Sequence, residues 1–324
     1  MKKILSFLLA AVVLLCSTFA LPITAEPQED EAGRPAISAV YVNASAHMTA
    51  FFLIDAPEGT ESAGLMINSK RVIGEQQEDG RWLVSYGPIY CHQMADALAV
   101  QPWSYTASRL LGGESYTFSI LDYATRLLAD PHTDQSLRNL LVSMLNYGAA
   151  TQKYFSHNPY NLANAYLTPA EKVVEEQSYT EELVQINDGT LEGVSFYGAS
   201  LFLSQHLTFN FIVNCENAAY DGNQLRLQVS VTPDFAAIVS YSLLDYKDGR
   251  FYARTDEIPY ESLRDRVYVR VVAPNGQYSE TISYSVEVYA NNIIEKTETD
   301  DDPRVSLIHS MMAFSDTLVA YRDR

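Results

Sequence analysis

The chain has 324 residues, of which 47% are hydrophobic, and its formal net charge is −18. This length suits two domains of ordinary size, and the apolar content excludes a disordered chain. The excess of acidic residues argues against nucleic acids and anionic lipids as partners, because both are negatively charged.

Residues 1–25 have the pattern of a secretory signal peptide. Lys2 and Lys3 precede an apolar run from Ile4 to Leu15, and Ala25 offers a small residue for cleavage. The run is too short to span a membrane. A bulky leucine before Cys16 argues against lipidation. We therefore predict a secreted protein without a membrane anchor after cleavage, either released or held non-covalently at the cell surface.

Removing residues 1–25 takes away two lysines and no acidic residue, which leaves a net charge of −20. The next segment, residues 26–35, is acidic and contains proline, so we expect a solvated leader.

An internal repeat covers most of the remaining chain. Four blocks recur in the same order at offsets of 159, 169, 166 and 167 residues, with a ten-residue insertion in the second copy between Asn214 and Asp248. The blocks begin at His47 and His206, Asp79 and Asp248, Phe118 and Tyr284, and Leu140 and Leu307. The repeat predicts two tandem homologous domains, at residues 36–158 and 194–324.

Local signals predict the same order of elements in both copies. Asp79-Gly80 and Asp248-Gly249 indicate tight hairpin turns with both central residues at positive φ. Helices follow over Ser119–Ala129 and Ser285–Ile294, and a longer amphipathic helix follows each. The fold class is therefore α+β, with each domain an antiparallel β-sheet or sandwich followed by a C-terminal helix pair.

Residues 159–193 form a polar linker between the copies. Thr168, Pro169 and Glu171 are typical of a helix start, so we predict a short helix within this linker.

The first copy resembles a known module. Its Tyr-Ala helix is followed by Met-Leu-Asn-Tyr-Gly-Ala-Ala over residues 144–150, by Tyr154-Phe155 and by Asn-Leu-Ala-Asn-Ala over residues 161–165. These motifs resemble a repeated module, without assigned activity, of secreted and often multidomain surface proteins of Gram-positive anaerobes. The second copy departs from it, since Ala313-Phe314-Ser315 replaces Asn-Tyr-Gly.

Two cysteines remain after the signal peptide, Cys91 and Cys215, and they could form a disulfide outside the cell. They are not equivalent under the repeat, so such a bond would join one domain to the other. The sequence alone leaves the geometry open.

No cofactor motif is present, and no metal site is predicted. His47 and His206 have no second histidine or cysteine at metal spacing, so we expect structural roles. Ca²⁺ is a candidate partner of the acidic loops at residues 130–134 and 297–302. Helix capping by their aspartates is the favoured interpretation.

Trp82 and Trp103 are candidate platforms for stacking against a sugar. Phe251 takes the place of Trp82 in the second copy, which favours a core position for Trp82. Trp103 remains as the candidate ligand contact.

We expect no catalytic residues, because the sequence contains no serine-nucleophile elbow, phosphate-binding loop or dinucleotide-binding motif. The favoured hypothesis is a non-enzymatic module pair for adhesion, for binding an extracellular glycan or protein, or for surface assembly. The alternative is a secreted hydrolase whose carboxylates converge only in the folded chain.

Overall fold

The computed structural model describes residues 19–21, 33–204, 206–216, 220, 224–247, 250–297 and 302–324. The predicted signal peptide, apart from residues 19–21, and the acidic leader up to residue 32 lie outside these ranges. Within them the chain is a mixed, sheet-rich structure of four antiparallel sheets and four α-helices. It divides into two compact units, Met1–Val174 with Asp316–Arg324, and Glu175–Ser315.

The first unit contains two antiparallel sheets. One has the strand order β1-β2-β3-β7-β6, and the other has the order β10-β8-β4-β5, with β9 paired to β8. The strands are β1 (Phe19–Leu21), β2 (Ala36–Ala44), β3 (Met48–Asp55), β4 (Thr60–Ile67), β5 (Lys70–Ile73), β6 (Glu75–Gln76), β7 (Trp82–Ile89), β8 (Leu98–Thr106), β9 (Arg109–Gly112) and β10 (Tyr116–Phe118).

The inner sides of these two sheets form an apolar core. Phe52 on β3 and Phe118 on β10 pack edge to face, with ring centroids 5.1 Å apart. Trp82 is buried on β7, as the replacement by phenylalanine in the second copy predicts. The first unit is thus a sandwich in which side chains of both sheets interdigitate.

The turns of the first unit differ in part from the prediction. Gly80 has a φ of +88°, but the φ of Asp79 is not positive. The loop joining β6 to β7 is also longer than a two-residue turn, since it spans residues 77–81. Asp79 instead accepts hydrogen bonds from the backbone and side chain of Arg81. The two-residue turn with both φ values positive is Asn68-Ser69, between β4 and β5.

Two helices, α1 (Ile120–Ala129) and α2 (Gln135–Phe155), follow the sheets as predicted. Ser119 caps α1 by accepting a hydrogen bond from the backbone N–H of Asp122 at 2.9 Å. Asp134 caps α2 in the same way through the N–H of Leu137. The acidic loop before α2 therefore satisfies helix N–H groups, as the capping interpretation expects.

The helix α2 is more deeply buried than an amphipathic stripe requires. Leu140, Leu141, Met144 and Leu145 are buried as predicted, but every residue from 143 to 152 is also buried. The segment after α2 accounts for the difference, because it folds back along the helix.

The short helix predicted at Thr168 is not formed. Thr168 and Glu171 make the hydrogen bonds typical of a helix N-terminus, but the residues that follow form only turns. The chain turns away before a second helical turn.

The second unit again contains two antiparallel sheets, with strand orders β12-β13-β17-β16 and β11-β19-β18-β14-β15. The strands are β11 (Val184–Ile186), β12 (Val194–Leu203), β13 (Leu207–Cys215), β14 (Arg226–Ser230), β15 (Ile238–Leu243), β16 (Asp245–Lys247), β17 (Arg250–Arg254), β18 (Val267–Val272) and β19 (Thr281–Tyr284). The predicted Asp248-Gly249 turn lies outside the described residues, between the paired residues Lys247 and Arg250.

An aromatic cluster joins the sheets of the second unit. Tyr284 on β19 packs against Phe209 and Phe211 on β13, with ring centroids 5.3 and 6.1 Å apart.

Two helices, α3 (Val286–Lys296) and α4 (Pro303–Arg322), follow the strands of the second unit, and the division between the units falls within α4. Ser285 caps α3 through the N–H of Val288. The apolar stripe predicted on α4, beginning at Leu307, is buried.

Candidate functional site

Trp103 does not form the predicted exposed contact. It lies on β8 with 4% of its surface accessible, and its ring covers Gly64 on the neighbouring strand β4. Arg71 covers the ring further, with its guanidinium carbon 4.3 Å from the ring centroid. The prediction is therefore wrong, because Gly64 leaves space that the indole fills.

Cys91 and Cys215 are not joined in a disulfide. Cys91 is buried, and its thiol interacts with the phenol of Tyr147 on α2. Cys215 is half-buried at the end of β13. The disulfide that the sequence left open is thus not formed, and the Cys91 thiol lies in the interior of the first unit.

The histidine and carboxylate side chains do not assemble a metal site within the described ranges. His206 forms an ion pair with Glu257. The Asp130 carboxylate accepts a hydrogen bond from the backbone of His132. Much of the second acidic loop, residues 298–301, lies outside the described residues, so Ca²⁺ binding there stays a prediction.

Two buried amide side chains of the first copy, Gln152 and Asn146, hold the segment that returns along α2. The Gln152 side chain, fully buried, donates to the carbonyl of Asn161 at 2.9 Å and accepts from the N–H of Ala163 at 2.6 Å. Asn146 donates to the carbonyl of Glu171 and accepts from Asn164. These bonds satisfy buried backbone groups, so the motif that carries the resemblance has a structural role.

A polar cluster lies beside this segment. The ring of His157 bonds both carboxylate oxygens of Asp96, at 2.9 and 3.1 Å, and packs edge to face against His92. Burial and the adjacent His157 lower the pKa of His92 below its ordinary value of 6.5, against the opposing effect of Asp96. The adjacent Cys91 thiol bonds the phenol of Tyr147. The cluster thus contains a His–Asp pair and a thiol bonded to a phenol, and His157 lies just beyond the C-terminal end of α2.

An apolar cleft opens between the sheets of the first unit, beneath α1. Ile37, Phe52 and Phe118 line it, and the exposed side chains of Asp122 and Arg126 stand at its mouth. Tyr116, Thr117 and Tyr123 also line the cleft, so its lining is mainly apolar with a few polar groups.

The second unit carries a different kind of surface, on the outer side of the sheet β12-β13-β17-β16. Phe251 and Ala253 on β17 point into the core. Because side chains alternate along a strand, Arg250, Tyr252 and Arg254 point outward. This side of the sheet is accessible to solvent.

Two of these arginines stack on aromatic rings of β12. The guanidinium carbon of Arg250 lies 3.5 Å from the ring centroid of Tyr197, and that of Arg254 lies 4.0 Å from the centroid of Phe202. Tyr197 is 55% exposed and Phe202 is 38% exposed. We name Tyr197, Phe202, Arg250, Tyr252 and Arg254 the arginine–aromatic face.

A β-bulge creates the position of Tyr197. The pairing of β12 with β13 shifts between Phe196 and Gly198, so Tyr197 is an extra residue without a partner in the register. Gly198 follows it, and a Cβ atom built there would contact nothing within 4 Å. The bulge therefore places an aromatic ring beside open space on the sheet.

Sequence reasoning missed all five residues of this face. The sequence Arg-Phe-Tyr-Ala-Arg over residues 250–254 could have indicated an outward polar side of a strand, because large polar side chains alternate there with apolar ones. Pairing the arginines with Tyr197 and Phe202 requires the register of three strands.

Within the described residues, no helix is both long enough and apolar enough to cross a membrane. No model of a known protein family matches the chain, and a comparison with curated proteins finds no relative.

Proposed function

We propose that the chain is a pair of duplicated extracellular modules, residues 36–158 and 194–324, and that the second module binds a glycan through the arginine–aromatic face. The proposal has two parts, the duplication and the binding site. Export, predicted from residues 1–25, would place the protein outside the cell or at its surface, as would the resemblance of the first copy to modules of surface proteins.

The strand orders support the duplication. The order β2-β3-β7-β6 in the first unit corresponds to β12-β13-β17-β16 in the second, and β10-β8-β4-β5 corresponds to β19-β18-β14-β15. Short 3₁₀ helices at Cys91–Gln93 and Tyr260–Ser262 occur at equivalent places, 169 residues apart. Elements therefore correspond along most of the two copies.

A shared irregularity supports the duplication more specifically. The pairing of β2 with β3 shifts between Ile37 and Ala39, and that of β12 with β13 shifts between Phe196 and Gly198. The offset is 159 residues, the value given by the aligned histidines. A bulge retained at one position in two sheets is a feature expected of a common ancestor.

The two copies differ at the residues of the arginine–aromatic face. Ser38 and Asn43 occupy the positions of Tyr197 and Phe202, and Ser85 occupies that of Arg254. Arg81 corresponds to Arg250 and bonds Asp79 at 2.6 Å, whereas Asp248, the counterpart of Asp79, lies outside the described residues. These particular differences all lie on one side of one sheet, which supports a function specific to the second copy.

The observation that carries the binding proposal is the pair of exposed aromatic rings, each beside an arginine, on a regular sheet. Aromatic faces stack against the apolar faces of sugars, and arginines supply several directed donors for hydroxyl and carboxylate oxygens. A sheet holds these groups more rigidly than a loop, which reduces the ordering cost of binding.

A glycan and protein array probed with the purified chain tests this function. The matched variant carries Tyr197→Ser, Phe202→Asn and Arg254→Ser, the residues that the first copy has at the same positions. Glycan binding by the chain and its loss in this variant would support the proposal. Binding to proteins alone would contradict it, and release of new reducing ends from a bound glycan would favour the hydrolase alternative.

A further inference from the structure

The arginines of the second unit fall into two groups. Arg264 pairs with Glu287 at 3.0 Å, Arg266 with Glu181 at 3.1 Å and Arg304 with Asp302 at 2.6 Å. Within the described part of the chain, Arg250 and Arg254 form no ion pair and lie over aromatic rings, as Arg226 and Arg270 do elsewhere in this unit. No described carboxylate pairs with Arg250 or Arg254, so their charge is available to a ligand.

The local charge opposes that of the whole molecule. The chain has a net charge of −18, yet Lys247, Arg250 and Arg254 lie close together on β16 and β17. Asp245, which pairs with Tyr252, is the acidic residue on these two strands within the described ranges, and Asp256 and Glu257 follow shortly after β17. The outward side of β17 itself carries Arg250 and Arg254 and no acidic residue, so an anion would be attracted to these two side chains.

The spacing of the arginines determines the kind of anion. Arg250 and Arg254 are four residues apart on one strand, which separates their Cα atoms by about 13 Å. The two guanidinium groups lie over different rings, those of Tyr197 and Phe202, so in these positions each would bond a separate carboxylate. The ligand must therefore carry carboxylates at intervals along an extended chain, and apolar faces between them to contact Tyr197 and Phe202.

Single-stranded nucleic acid also combines repeated charge with stacking groups, but it fits less well. Proteins that bind it line a groove with many cations and leave ring faces open for the bases. Here three cations serve the face, and a guanidinium covers one side of each ring. The negative charge of the remaining protein would repel closely spaced phosphates.

We infer that the ligand of the arginine–aromatic face is an acidic glycan, a linear polymer that contains uronic acid residues. Arg254 and Arg250 bind two separate carboxylates of the polymer through paired N–H donors, and Tyr197 and Phe202 contact its sugar rings. This inference rests on the proposed glycan-binding function and specifies its ligand class.

Affinity gel electrophoresis of the purified chain tests the inference, with polygalacturonate, alginate and hyaluronan in the gel. Each polymer is compared with its carboxyl-reduced form, which keeps the sugar backbone but is neutral. We expect retardation by at least one native polymer, no retardation by its reduced form, and weaker binding as the salt concentration rises.

Three variants link the binding to the face. Arg254→Ser should weaken binding about tenfold, the effect of losing one charged contact. Arg254→Lys should also weaken it, because lysine keeps the charge but not the paired donors. Gly198→Gln should block the face without disturbing the core, since the space above Gly198 is open.

The outcomes separate this inference from the broader proposal. Equal retardation by native and reduced polymers would overturn the acidic ligand and leave glycan binding intact. Retardation only by single-stranded DNA included in a parallel gel would overturn both. If Gly198→Gln and Arg254→Ser both bound as tightly as the unchanged chain, the arginine–aromatic face would not be the binding site, which would contradict both proposals. If no native polymer retarded the chain, the acidic ligand would be overturned.

Discussion

At the scale of single residues, the same side chain serves different purposes according to its neighbours. Arg81 and Arg250 occupy equivalent positions in the two copies, but Arg81 bonds Asp79 whereas Arg250 lies over the ring of Tyr197. The residue type alone predicts neither role. Arg81 bonds an aspartate two residues earlier in the same loop, whereas Arg250 contacts an aromatic ring two strands away.

Gln152 offers a direct test of the buried amide network. Replacing it with alanine would leave the carbonyl of Asn161 and the N–H of Ala163 unpaired, at about 1–3 kcal/mol for each buried group. We therefore expect Gln152→Ala to lower the free energy of unfolding by about 2–4 kcal/mol, measured by urea denaturation.

The neighbouring Lys153 provides the control. It lies on the same helix but is exposed, so Lys153→Ala should change the unfolding free energy by less than about 0.5 kcal/mol. Equal effects of the two substitutions would show that the network does not hold the returning segment.

His92 makes the stability of the first unit depend on pH. Burial and His157 lower the pKa of His92, so the folded protein favours the neutral ring more than the unfolded chain does. The stabilisation is complete above pH 6.5 and is lost as the pH falls through the lower pKa of the folded state.

We expect the melting temperature to fall between pH 7.5 and pH 5, and to fall less in His92→Gln. Differential scanning calorimetry at the two pH values measures both changes. An identical decrease of the melting temperature in the variant would mean that other groups cause the pH dependence. His309 is one such group, because burial lowers its pKa as well.

At the scale of elements, close strand approach explains why Trp103 is buried. A Cβ atom at Gly64 would lie 2.0 Å from the carbonyl oxygen of Val72 and 2.8 Å from the Trp103 ring. Gly64→Ala should therefore lower the unfolding free energy by roughly 1–3 kcal/mol or more, measured by chemical denaturation.

Gly198→Ala is the matched control, also on a strand, because its Cβ atom would meet no atom within 4 Å. It should be neutral, or should stabilise by up to about 1 kcal/mol through a less flexible unfolded chain. A neutral Gly64→Ala would contradict the packing described for β4, β5 and β8.

The sequence predicts those elements whose signals are local. Ser119, Asp134 and Ser285 mark helix starts because each accepts a hydrogen bond from an N–H three residues ahead. The start signal at Thr168 is equally good, yet the chain forms only turns there. A cap satisfies the first N–H groups but cannot supply the packing that sustains a helix.

The candidate site was less predictable than the fold because it depends on contacts across strands. Trp103 has the side chain of a sugar platform, but Gly64 on another strand determines its burial. Tyr197 and Phe202 approach their arginines across the intervening strand β13. Strand register, which composition and spacing do not give, brings these residues together.

At the scale of the whole molecule, the proposed duplication supplies an internal comparison. The first copy keeps its stabilising amide network, and the second copy alone carries the arginine–aromatic face. If both copies bound the same ligand, avidity would follow from two sites. The differences at Ser38, Asn43 and Ser85 instead predict one glycan site for each chain.

Amide chemical-shift mapping during titration with an acidic oligosaccharide is the direct test of a single glycan site on the arginine–aromatic face. We expect the perturbed amides to belong to β12, β13 and β17 of the second unit, and their shift changes to saturate at one ligand per chain. Equal perturbation of β2, β3 and β7, or perturbation confined to regions outside the arginine–aromatic face, would contradict it.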